Sequence, residues 1–241
     1  MKHMVSLGSA EWKSIVVEGA RKLGIDVSGE QAEHFAVHAR NMVHWNRKVN
    51  LTAITDPFDI AVKHYLDSIM AVPIIESGSS LLDVGSGAGF PGIPLNIMVP
   101  SLTTTLLEAR RKRVSFLKQV IRSLKIVNVR VCHDRLEQMA DLLPPEAGFD
   151  VIVSRAFSDL KLFAVHAFPL LNAGGCLVAY KGKKSPKTEA EIAEVAKTKM
   201  PGGSEVRLNI EMRQCVLPYL EIERTLIIMD DPGARSRDIR H

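Results

Sequence analysis

Residues 83 to 92 read Asp-Val-Gly-Ser-Gly-Ala-Gly-Phe-Pro-Gly and follow the apolar pair Leu81-Leu82. A short buried strand that ends in an acid and glycines, then opens a helix, is how an α/β sheet builds a nucleotide-shaped pocket at its carboxyl edge. Gly85, Gly87 and Gly89 let the backbone turn tightly and approach a ligand without Cβ clashes. Counted from Gly85, the Gly-x-Gly-x-x-Gly spacing of a dinucleotide site puts Phe90 where the third glycine should stand. That speaks against NAD, whose pyrophosphate needs a close helix N-terminus.

Glu108 ends the next apolar segment, 23 residues after Gly85, where this architecture places a carboxylate on ribose hydroxyls. Asp134-Arg135-Leu136-Glu137 follows a third such segment, with Leu136 as an apolar wall for a base. A fourth ends in Ser154-Arg155-Ala156-Phe157. Asp83 suits a ligand carrying an amino group and a positive charge, and S-adenosylmethionine is such a ligand. A tight βα turn at the glycines, a first-turn helix acid at Glu108 and a structural ion pair at Arg155 are the plainer readings of each residue alone.

The elements that must position these residues are legible in the apolar pattern. Helices are expected over 10–23, 29–46 and 57–75, the last with Asp56 as N-cap and Pro57 in its first position. Alternating strands (80–84, 103–107, 127–132, 149–154, 175–181) and helices (92–99, 110–124, 134–143, 159–171, 187–198) then predict a parallel sheet with crossovers. Val206, Leu208, Ile210 and Met212 alternate like a strand, and a strand over 221–229 should return antiparallel. The organisation expected is a helical segment over 1–76, an α/β domain over 77–230 and a basic tail over 231–241.

The chain has 241 residues, 46% of them hydrophobic, enough for one α/β core. No apolar run approaches the roughly 20 residues that span a bilayer, and the first residues lack a signal peptide's apolar stretch, so a cytoplasmic protein is expected. Cys132, Cys176 and Cys215 are far apart, which argues against disulfides and a zinc site, and no metal is expected. Cys132 beside His133 is the one weak nucleophile candidate. A net charge of +4 permits an anionic partner without requiring one.

The chain resembles the RsmG (GidB) family from about Asn46 to Ile228. The segments that carry this are Asn50-Leu51-Thr52-Ala53-Ile54, His64-Tyr65-Leu66-Asp67-Ser68, Asp83 to Pro94, Leu106-Leu107-Glu108, Arg135-Leu136-Glu137, Ser154-Arg155-Ala156 and Lys181-Gly182. The resemblance implies a Rossmann-like, seven-stranded class I methyltransferase sheet behind an N-terminal helical segment, and S-adenosylmethionine as cofactor. It implies transfer of a methyl group to guanine N7 at position 527 of 16S ribosomal RNA, in the small ribosomal subunit or its precursor. Gly85, Phe90, Leu136, Glu137 and Arg155 would be cofactor contacts, beside Asp83, Gly87 and Glu108. A monomer is expected. A methyltransferase acting on a small molecule or a protein is the alternative.

Guanine N7 carries a lone pair and no proton, so it can attack a sulfonium methyl in line without a general base; alignment and electrostatics would do the work. Arg155 is the candidate to bridge cofactor and base. In the helix 57–75, Val62, Leu66 and Ile69 form one stripe, with His64 and Asp67 opposite at 100° steps. Alone, those two read as a solvated face; the resemblance turns them toward the cleft, with His64 positioning substrate. Arg111, Lys118, Arg122 and Lys125 gather on one face of the helical segment 110–125, and a solvated crossover helix accounts for them at least as well as RNA contact does. Lys183, Lys184 and Lys187 are further phosphate-seeking positions.

Overall fold

The computed structural model describes residues 5–144, 147–155, 157, 159–198 and 208–231. Its first part is helical: α1 (Ala10–Lys22), α2 (Gly29–Val49) and α3 (Pro57–Ile60), which runs into a π-helical turn (Ala61–Leu66) and α4 (Asp67–Ile69). Each start is chemically marked. Ser9 Oγ accepts from Trp12 N, Ser28 and Gln31 exchange a reciprocal capping box, and Asp56 accepts from Asp59 N with Pro57 in the first position, as expected. Such caps contribute about 1 kcal/mol each.

Strands and helices alternate from there: β1 (Ser80–Val84), α5 (Gly92–Met98), β2 (Thr103–Leu107), α6 (Arg111–Leu124), β3 (Val129–Cys132), α7 (Met139–Leu142), β4 (Phe149–Ser154), α8 (Leu160–Ala167), β5 (Leu171–Lys181), α9 (Pro186–Ala196), β6 (Asn209–Leu217) and β7 (Ile222–Asp230). The sheet order is β3-β2-β1-β4-β5-β7-β6, with β7 antiparallel to both of its neighbours. The expected Rossmann-like seven-stranded sheet is therefore the one found. Because β1 to β4 are parallel neighbours, their carboxyl ends lie side by side on one edge.

Alternation along each strand feeds two cores. Leu81 and Leu106 join Trp12, Phe35, Tyr65, Ile93, Phe116 and Leu117 on one face, so α1, α2 and the π turn share a core with α5 and α6. Leu82, Leu107, Ile152 and Leu177 join Phe163, Ala167 and Val195 on the other.

Several expectations need correction. The helix 57–75 is interrupted: the π turn inserts a residue into the 3.6 repeat and α4 ends at Ile69, so 100° stepping fails across it. His64 and Asp67 are each 5% exposed, buried like the stripe they were placed opposite rather than solvated. The helix 134–143 is only a 3-10 turn (Leu136–Gln138) with one α turn, and the helix 159–171 stops at Ala167 before Phe168–Leu170. β5 starts at Leu171 rather than 175, with a register shift between Leu171 and Cys176, a stretch in which Gly174 has a φ of +80°. β6 runs on to Leu217, whereas Val206 and the tail from 232 lie outside the described residues.

Candidate active site

At the end of β1 the chain reverses through Gly85, Gly87 and Gly89, with φ of +72°, +57° and +87°, a region that side chains disfavour. Gly85 N and Ser86 N donate to Leu107 O, which ties the loop to β2. Gly92 allows a different closeness: a Cβ there would lie 2.5 Å from Leu106 Cδ2 and 2.7 Å from Asp83 Oδ2. Gly92 is thus the glycine that packs helix against strand, and counted from Gly87 the loop does spell Gly-x-Gly-x-x-Gly. Phe90 by itself therefore does not exclude a dinucleotide.

Asp83 is fully buried. Its Oδ2 accepts from Gly92 N at 3.0 Å, while Oδ1 has no hydrogen-bond partner. Burial pushes its pKa up to about 7, against the opposing pull of the Gly92 amide, Ser86 and Arg155. A buried carboxylate oxygen left unpaired at a sheet edge is an arrangement that a cationic ligand completes. Glu108, 4% exposed, accepts from Gly87 N (2.9 Å) and Arg110 N (2.8 Å), with Arg113 Nη1 at 3.7 Å. Each oxygen keeps a lone pair for a hydroxyl.

Arg155, just past β4, reaches back into the helical part. Its Nη1 donates to Ser68 Oγ (2.9 Å) and His64 O (3.2 Å) and lies 3.3 Å from Asp67 Oδ2; Nη2 sits 3.2 Å from His64 Nδ1. Its ion-pair partner is thus Asp67, and not Asp83 or Glu108 at the neighbouring strand ends. Asp67 is shared, because Arg224 Nε on β7 donates to its Oδ1 at 2.7 Å. Tyr180 OH donates to Ser68 O at 2.6 Å.

An arginine beside Nδ1 makes that nitrogen the acceptor, so His64 Nε2 carries the proton toward Thr52 Oγ1, 3.0 Å away. Burial, then Arg155 and His38, lower its pKa to about 3. His64 is a neutral plate, unfit as a base near neutrality. It stacks on Phe90 with ring centroids 4.5 Å apart and planes 9° from parallel, and the Arg155 guanidinium lies 5.4 Å from the Phe90 centroid.

The edge therefore brings together Asp83, Gly85, Gly87, Phe90, Glu108 and Arg155, with His64 joined to the last by direct contact. Leu136 is buried on the turn after β3, and Glu137 beside it is exposed. Reading the residues missed His38, Tyr180 and Arg224. His38 Nε2 contacts Ala88 O at 2.8 Å, so α2 holds the glycine loop directly. Its only signal was a histidine inside the apolar stripe of Phe35, Ala39 and Met42. Burial and Asp134 raise the pKa of Cys132, which removes its claim as a nucleophile. Among the described residues no group of three or more His, Cys, Asp or Glu could hold a metal, and no helix is long and apolar enough to cross a membrane.

Residues 31–212 match the family model GidB, described as rRNA small subunit methyltransferase G. The ribosomal RNA small subunit methyltransferase G of Desulfitobacterium hafniense (strain Y51) is 39% identical over 187 residues, 78% of this chain and 77% of that one. That of Lachnoclostridium phytofermentans is 38% identical over 216 residues, 89% and 87% of the two chains. Among solved structures, a SAM dependent methyltransferase from Aquifex aeolicus matches with a TM-score of 0.54 at 17% identity, covering 75% of this chain and 96% of that one. Aeropyrum pernix fibrillarin with bound S-adenosyl-L-methionine matches at 0.51 and 17%, covering 68% and 74%. At such identity the structures speak for the fold alone, while the model and the relatives decide the family: this chain belongs to the rRNA small subunit methyltransferase G family.

Proposed function

We propose that this chain methylates N7 of one guanine in the RNA of the small ribosomal subunit, acting as a monomer in the cytoplasm. As a member of its family it is an rRNA methyltransferase that uses S-adenosylmethionine, and the residues at the edge suit that cofactor. The unpaired Asp83 Oδ1 invites an ammonium group, and a Cβ at Gly87 would meet only Arg113 Nη1 and Gly85 O, both at 3.8 Å, so the loop is not packed tightly on that side. Asp83 would hold the amino group, Glu108 the ribose hydroxyls, and Gly85 and Gly87 the close backbone approach. Leu136 and Glu137 would line the adenine side, and Phe90 and Arg155 the methionine side. When bound, the cofactor supplies a methyl group made electrophilic by its sulfonium.

The observation that carries the choice of acceptor is that both ring nitrogens of His64, stacked on Phe90, are engaged: Nδ1 accepts from Arg155 and Nε2 donates to Thr52 Oγ1. His64 therefore offers no free nitrogen to take a proton from an amine or hydroxyl. N7 has no proton to lose, so orientation and exclusion of water are enough. Arg155, fixed by Ser68 and Asp67, presents a rigid positive charge beside Phe90, where it can bridge the methionine end and the O6 edge of guanine.

The test is transfer of tritiated methyl from S-adenosylmethionine to small-subunit particles, deproteinised rRNA, ribosomal proteins and a small-molecule extract. Label should enter RNA. Label confined to proteins or small molecules would overturn the reading.

A further inference from the structure

Two groups of cations among the described residues differ in their partners. Lys181, at the end of β5, and Lys183 and Lys184 just beyond it are each committed to an acid, Glu191 at 2.8 Å, Glu223 at 2.9 Å and Glu189 at 2.9 Å, while Lys187 on α9 is exposed and forms no ion pair among the described residues. The segment around α6 is the reverse. From 109 through 133 it contains Arg110, Arg111, Lys112, Arg113, Lys118, Arg122, Lys125 and Arg130 and no Asp or Glu. Arg113 lies 3.7 Å from Glu108, whereas Arg110, Arg111, Lys112, Lys118, Arg122 and Lys125 are exposed and form no ion pair among the described residues.

Their placement is ordered. Val114, Leu117, Val120 and Leu124 bury one side of α6, and steps of seven and four residues put Arg111, Lys118 and Arg122 in one row on the solvent side. Lys125, at the C-cap with φ of +55°, continues the row. A solvated helix ordinarily carries both signs at four-residue spacing, because like charges repel. A row of one sign, uncompensated, is a surface that a polyanion completes. The row starts beside Glu108 and the glycine loop and runs about 20 Å along the helix. Trp45 packs on Phe116 with ring centroids 5.9 Å apart, which sets the end of α2, with exposed Arg47 and Lys48, beside the start of α6.

We propose that the solvent face of α6, and not the lysine loop beyond β5, is the track that grips the phosphate backbone of the substrate rRNA, with Arg110, Arg111 and Lys112 at the mouth of the active site. This rests on the functional reading above. Each phosphate neutralised should release counterions, with a slope of log affinity against log salt of roughly 0.7 to 0.9 per contact.

The experiment compares binding of small-subunit rRNA by the wild-type chain, by Arg111→Gln/Lys118→Gln/Arg122→Gln, and by Lys183→Gln/Lys184→Gln, across a salt series. Calorimetry with S-adenosylmethionine checks that each variant is folded and binds cofactor like the wild type. The α6 variant should lose about 2 from the salt slope and about 10- to 100-fold in affinity near 0.15 M salt, and the loop variant should retain both. A slope unchanged in the α6 variant, or an equal loss in the loop variant, would overturn the track while leaving methylation of RNA standing. A wild-type chain that neither binds nor methylates rRNA would instead overturn the functional reading, and the track with it.

Discussion

His38 Nε2 lies 2.8 Å from the carbonyl oxygen of Ala88, a fully buried contact that fastens α2 to the centre of the glycine loop. Nε2 must donate there, and burial lowers the pKa of the ring to about 4, so the bond persists across neutral pH. His38 also lies 4.9 Å from Phe90, ring to ring. It is a positioning residue acting through the loop. His38→Leu should raise the KM for S-adenosylmethionine about tenfold with a smaller change in kcat, and His38→Gln, which can still donate, should recover most of it. Equal behaviour of Leu and Gln would show that only packing matters.

On the proposed role of Asp83, cofactor binding should depend on pH. Its pKa is raised in the folded protein to about 7, so its protonated form stabilises the cofactor-free fold below the unfolded value near 4, and that contribution is lost as pH rises through 7. Asp83→Asn should therefore melt higher than wild type at pH 8 without cofactor, by one to a few kcal/mol, yet bind S-adenosylmethionine at least tenfold more weakly. Calorimetry at pH 6 in buffers of different ionisation enthalpy should show proton release on binding to wild type and none to the variant.

Arg155 draws charge and shape from two directions, Asp67 on one side and Ser68 with His64 on the other. Arg155→Ala should lower methyl transfer at least 100-fold, while stability falls by only about 1 to 2 kcal/mol because Arg224 still pairs Asp67. Arg155→Lys keeps the charge without the fork and should recover little. Unchanged transfer in either variant would contradict the assignment.

Gly92→Ala places a Cβ 2.8 Å from Asp83 Cβ, which cannot swing away. Thermal melting should report a loss of about 2 kcal/mol, and cofactor affinity should fall with it because the Gly92 amide orients Asp83.

What could be read from residues follows from how locally each feature is encoded. β1, β2 and β4 keep the expected bounds, because a buried parallel strand is a short run of apolar and β-branched residues cut by glycine, proline or charge. Asp83, Glu108 and Arg155 were legible for the same reason: each stands at a strand end, where this fold puts its chemistry. The π turn left no mark, since one extra residue per turn changes neither composition nor polarity. β5 was truncated because Phe168-Pro169-Leu170-Leu171 reads as the end of an apolar helix. β6 was cut short because the alternation breaks beyond Met212, at Arg213-Gln214-Cys215-Val216-Leu217, on an edge strand where Val216 is 53% exposed. His38 and Arg224 were invisible because their partners, Ala88 and Asp67, are 50 and 157 residues away.

The most direct measurement is borohydride reduction and aniline scission of small-subunit rRNA after reaction with the chain and S-adenosylmethionine, since this chemistry breaks the strand at 7-methylguanine. One new scission, at a single guanine, should appear with wild type and vanish with Arg155→Ala. Methyl label in the RNA without any scission would place the methyl on another atom and contradict the account.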